Sequence, residues 1–109
     1  MELENIMQGN ACVIHVQGRL DATTAPELER YTGDLIEKGN PRIVFDLTDL
    51  QYVSSAGLRI FLLVAKKLKG LGGEMSLAGL HGNIKEVIEI SGFPSILPCY
   101  DTMDDFPGY

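Results

Sequence analysis

The sequence predicts an α/β fold: one domain over residues 1–109 with a mostly parallel or mixed β-sheet flanked by helices. Three observations carry that expectation. Segments with apolar residues at helical spacing alternate with short segments of strand character. Strands separated by helices rejoin one sheet through right-handed crossovers, which makes them parallel. Ile43, Val44 and Phe45 are apolar in succession, the pattern of a central strand covered on both faces.

Each element has its own signals. Ala11 to Val16 reads as a strand, with Leu3 to Met7 as an edge partner across a turn at Gly9 and Asn10. Thr24 and Glu27 have capping-box spacing, Pro26 suits a first helical turn, and Leu28, Tyr31, Leu35 and Ile36 supply an inner face. Gly39 and Pro41 end that helix and lead into a strand from Arg42 to Leu47. A short polar connection follows, then a helix from about Ala56 to Lys69. Gly70, Gly72 and Gly73 separate it from a strand over Glu74 to Ala78. Asn83 and Glu86 repeat the capping-box spacing before an inner stripe of Ile84, Val87 and Ile88, and Gly92 stops this helix. A short strand over Ser95 to Leu97 and a turn near Asp101 to Asp105 complete the expectation.

Composition narrows the function classes. A chain of 109 residues with 45% hydrophobic content holds one core. Nine basic against fifteen acidic side chains leave a charge of −6, which argues against direct nucleic-acid binding and favours a basic or mixed-charge protein partner. No apolar run approaches the roughly 20 residues of a membrane span, and Met1 to Glu4 is not a basic leader, so a cytoplasmic location without membrane insertion is expected. Cys12 and Cys99 form no CxxC and have no histidines at ligand spacing, which points to two free thiols.

The segment Val53-Ser54-Ser55-Ala56-Gly57-Leu58 carries the most information. Either serine can cap the helix that follows by accepting a backbone N–H bond. A helix N-terminus also carries partial positive charge, so a phosphate on a serine there is tolerated. Together with Gly18-Arg19-Leu20-Asp21, Thr24-Ala25-Pro26, the strand Ile43 to Leu47 and Gly72-Gly73-Glu74, this segment resembles the STAS domain of anti-sigma factor antagonists over nearly the whole chain.

The resemblance implies a STAS fold and a non-enzymatic role. An unphosphorylated protein would capture an anti-sigma factor serine kinase, release it when phosphorylated, and be restored by a serine phosphatase. ATP would be consumed by the partner, and no cofactor is implied. Counted back from the glycine of the motif, the phosphoacceptor is Ser55. Some members carry an aspartate immediately before the acceptor, where Ser54 stands here, so Ser54 is the second candidate. The alternative is a STAS subunit of a transporter or signalling assembly that docks constitutively.

Further candidates gather around the serines. In the resembling family acidic residues at the positions of Asp21 and Asp46 lie beside the phosphoacceptor, although each also suits an ordinary strand end. Projected at about 100° per residue, Leu58, Phe61, Val64, Ala65 and Leu68 form one face of the helix. Arg59, Leu63, Lys66 and Lys67 fall opposite, and Ile60 borders them. Gly57, Arg59, Ile60 and Leu63 thus make up the expected partner-binding patch beside Ser54 and Ser55. His15 and His81 lack a paired acid and serine, so a catalytic triad has no support.

Overall fold

The computed structural model describes residues 1–108. Glu2–Gln8 (β1) and Ala11–Leu20 (β2) form an antiparallel hairpin, and Gly9 adopts the φ of 61° that its two-residue connection needs. There follow Ala25–Glu37 (α1), Arg42–Asp46 (β3), Leu50–Val53 (β4), Ser55–Gly70 (α2), Glu74–Ala78 (β5) and Gly82–Ile90 (α3). The sheet runs β1-β2-β3-β5, with β4 also paired to β2, and every pairing except the first hairpin is parallel. The result is a mixed five-stranded sheet with three helices.

β2 serves two partners in turn. Its residues Cys12 to His15 pair with β3 and Gly18 to Leu20 with β4, and within the second pairing the register shifts between Gly18, opposite Leu50, and Arg19. Gly18, at a φ of 100°, permits the shift, after which Arg19 and Leu20 pair with Tyr52 and Val53 of β4. β4 replaces the polar connection expected from sequence. Only Leu50 and Val53 of its four residues are buried, a spacing that does not alternate and so gave no strand signal.

The helices gather on one face of the sheet. Leu28 and Ile36 of α1, Phe61, Val64 and Leu68 of α2, and Ile84 and Ile88 of α3 join Ile14, Val16, Ile43, Phe45 and Leu77 in one cluster. At its centre the Phe45 and Phe61 rings lie 5.0 Å apart, and Phe93 meets Phe61 edge-on at 6.4 Å. On the other face Phe106, with Tyr100 and Met103, covers Ala11, Val13, Val44 and Ala78. This second cover explains why β3 is apolar on both sides.

Three local expectations are corrected. Ser95 to Leu97 is not a strand: Gly92 at a φ of 81° and Pro94 set a 3-10 turn over Phe93–Ser95, and the chain meets β5 only later, through Leu77 N–H to Pro98 O at 3.0 Å and Tyr100 N–H to Leu77 O at 2.8 Å. Thr24 stands at the start of α1 but does not cap it, because its hydroxyl accepts from Asp21 N–H at 2.9 Å and donates to Arg19 O at 2.9 Å. Asn83 lies within α3, whose cap position is His81, and no side chain caps that helix. The turn near Asp105 forms as expected, with Thr102 Oγ1 accepting from Asp105 N–H at 3.2 Å.

Cys12 and Cys99 are free thiols, and burial pushes Cys99 up to about 11, far from the reactive thiolate range. Thr32 of α1 is fully buried, and its hydroxyl has no hydrogen-bond partner among the described residues. A buried hydroxyl without a partner costs on the order of 1–3 kcal/mol. Thr32→Val, close in shape and similar in helix propensity, should therefore raise stability by about 1 kcal/mol in urea unfolding. A loss of stability would show that the hydroxyl is satisfied in solution.

Candidate functional site

β2, β4 and α2 converge on the two serines. The Ser54 N–H donates to Leu20 O at 2.9 Å, extending the β2–β4 pairing by one residue past the strand. Ser54 is still extended, at φ −96° and ψ 174°, and its Oγ accepts from Gly57 N–H at 3.5 Å, a long contact for a hydrogen bond. Ser55 is the first helical residue and is exposed, and its hydroxyl has no partner among the described residues. Sequence left the cap open between the two serines. The backbone decides it, because only the extended Ser54 can fold its side chain back over the first turn.

Gly57 holds this arrangement in place. It is buried, and a Cβ there would stand 2.6 Å from Leu20 Cγ, 2.9 Å from Leu20 Cδ2 and 3.0 Å from Val53 Cγ2. Its expected place in a partner-binding patch is thereby corrected, since it meets the core instead. The missing side chain lets the start of α2 sit directly on the ends of β2 and β4.

Two grooves flank Ser55. One, of about 250 Å³, runs between α2 and the corner after α3, and is lined by Ser55, Leu58, Arg59, Leu62, Phe93 and Ile96 among others. The second, of about 360 Å³, runs between α1 and α2 past Ala56, Arg59, Ile60 and Leu63. Leu63 is 40% exposed as expected, whereas Ile60 is only 6% exposed. Ile60 does not border an open face because α1 packs along that side of α2, which a helical projection cannot foresee. Ile96, in the first groove, is 60% exposed, and Ile90, at the end of α3, is 86% exposed. Neither falls on a periodic face that sequence could assign to a site.

The two aspartates part ways. Asp21 stays at the end of β2 near the serines, but its carboxylate is turned to the entry of α1, where it accepts from Thr23 N–H at 3.0 Å and Thr23 Oγ1 at 2.7 Å. The Thr23 hydroxyl and backbone bonds lower its pKa. Any stability from Asp21 is present above its unfolded pKa and is lost as the pH falls through the lower folded value.

Asp46 is not brought to Ser55. Its side chain accepts from Thr48 Oγ1 at 2.6 Å and lies 3.2 Å from His15 Nδ1, on the sheet face away from the helices. His15 Nε2 lies 2.9 Å from Asp49, so the histidine spans two carboxylates that are distant in sequence. The parallel β2–β3 register, with His15 opposite Asp46, assembles this cluster. No serine joins it.

The electrostatics at the helix entry are simple. The first turn of α2 has no acidic residue, and Lys67 and Lys69 stand in the last turn, complementing the dipole. Arg19 lies over the Tyr52 ring at 4.2 Å on the strands below, and its Nε is 3.9 Å from Asp21. Among the described residues no cluster of three or more His, Cys, Asp or Glu can hold a metal, and no helix is long and apolar enough to cross a membrane.

The contact at Gly57 is testable. Alanine is about 1 kcal/mol the better helix former, yet overpacking a core costs about 1–3 kcal/mol. Gly57→Ala should therefore lower the urea midpoint despite its propensity. A more stable variant would show that Leu20 and Val53 yield easily.

The STAS domain model matches residues 2–106. The chain is 47% identical over 89 residues to BtrV of Bordetella bronchiseptica, provisionally named an anti-sigma factor antagonist, covering 82% of this chain and 77% of that one. Among solved structures, a protein of Thermotoga maritima of the same provisional description superposes at a TM-score of 0.89 with 18% identity, covering 95% of this chain and 90% of the other. SpoIIAA of Bacillus in its phosphorylated form superposes at 0.70 with 19% identity, covering 90% of each. At these identities the two structures speak for the fold alone. A family match over almost the whole sequence and a relative near half identity place the chain in the STAS domain family.

Proposed function

We propose that this protein is an anti-sigma factor antagonist that holds an anti-sigma factor serine kinase while Ser55 is unmodified and releases it when Ser55 is phosphorylated. One observation carries the reading: an exposed serine hydroxyl without a partner among the described residues, at the start of a helix, lining a groove with apolar walls. The naming of BtrV and the existence of a phosphorylated SpoIIAA in the same fold support it.

In the unmodified state a partner covers the exposed side of α2, where Ser55 lines one groove, Leu63 the other and Arg59 both. The kinase then transfers the γ-phosphoryl group of ATP to Ser55 Oγ. ADP leaves, and the hydroxyl proton passes to a base of the kinase. The product adds about 1.5 to 2 negative charges and a bulky tetrahedral group in the middle of the contact. A hundredfold loss of affinity requires only about 2.8 kcal/mol, and burying an unpaired phosphate in an interface exceeds that. A serine phosphatase reverses the change by hydrolysing the phosphoester. This chain supplies the acceptor and the surface, and its partners supply the chemistry. All of these steps suit a cytoplasmic protein.

Incubation with the cognate kinase and ATP, followed by intact mass, tests the site. Wild type and Ser54→Ala should each gain one phosphate and Ser55→Ala none; equal modification of all three would remove Ser55 from the reading. Ser55→Asp should weaken the complex roughly tenfold or more in calorimetry, from its charge alone. Unchanged affinity would favour docking without a switch.

A further inference from the structure

We propose that Arg59 is a built-in receptor for the phosphate on Ser55, so that modification both adds charge and withdraws this cation from the docking surface. The inference rests on the reading of Ser55 as the phosphoacceptor. Ser55 and Arg59 stand at i and i+4 on α2, are both exposed, and line the same groove. Side chains at that spacing have Cβ atoms about 5–6 Å apart, and an acid placed before a base is the favourable order along a helix. A phosphate on Ser55 Oγ therefore lies within reach of the guanidinium without any backbone change.

Arg59 is also free to respond. It has no ion pair among the described residues, whereas Lys85 is held by Asp101 at 3.0 Å and Arg19 is stacked on Tyr52. Glu29 of α1 is the one carboxylate among the residues lining the two grooves beside Arg59, and it forms no ion pair with it. The first turn of α2 offers no other acid that would compete for the guanidinium. Leu58, Leu62, Phe93 and Ile96 make the shared groove largely apolar, which strengthens a charge pair at its rim. A guanidinium also matches phosphate oxygens with two parallel N–H donors, which an ammonium cannot do.

The consequence is a two-part switch. The unmodified protein presents a free cation beside an apolar groove, suited to a carboxylate on the partner. The phosphorylated protein satisfies that cation internally, so the partner's carboxylate faces a phosphate and has lost its counter-charge.

The test installs phosphoserine at position 55 during synthesis and titrates the intact protein by ³¹P NMR, with no kinase required. The second ionisation of phosphoserine lies ordinarily near about 6. It should lie about half a unit lower with Arg59 present than in R59Q, with R59K between the two. The helix dipole acts equally in all three proteins, so the difference isolates the side chain. Identical titrations for wild type and R59Q would overturn the proposal, and R59K provides the comparison should R59Q perturb the fold. Failure of the kinase to modify Ser55 would instead remove the functional reading while leaving the measured pairing intact.

Discussion

The site depends on one close approach, that of Gly57 to Leu20 and Val53. Leu20 ends β2, Val53 ends β4, and both side chains occupy the space where a Cβ on Gly57 would stand. The two strand ends are tied by their own pairing and by the Ser54 N–H bond to Leu20 O. Together these contacts fix where α2 begins and in which direction it leaves the sheet. Ser54 is thereby held extended, and Ser55, one residue later, is turned outward. Exposure of Ser55 is a consequence of core packing rather than of a flexible loop.

The sheet divides the protein into two unlike sides. All three helices cover one face, so the ends of β2 and β4, the grooves around α2 and the exposed leucine belong to one surface. The opposite face is closed by the C-terminal segment through Phe106 and keeps the cluster of Asp46, His15 and Asp49. That separation explains why two aspartates ending parallel neighbouring strands have different surroundings. Asp21 shapes the entry to α1, and Asp46 anchors the connection after β3 through Thr48.

The proposed switch needs no conformational change in the domain that carries it. The proposed phosphate would be added to a side chain already in solvent, at a helix end whose dipole favours negative charge. The modification therefore leaves the packed state nearly undisturbed and changes what the surface can accept. In the proposed reading, specificity for a partner resides in the grooves beside α2, and control resides in the Ser55 hydroxyl.

Much of this was legible in the sequence because it is local. The alternation of helical and strand segments, the apolar run of β3, the glycines that end helices and the serines before α2 are all short-range signals, and they predicted the fold class and the start of α2 together. What sequence missed depends on contacts between distant segments. β4 is too short to show a period and is held by its pairing with the end of β2, beyond the residues that pair with β3. Ile60 is buried because α1 lies alongside it, and Asp46 meets His15 because β2 and β3 pair in one register. The choice between Ser54 and Ser55 as cap was likewise tertiary: adjacent residues of the same type differ only once the strand pairing holds one extended and lets the other begin the helix.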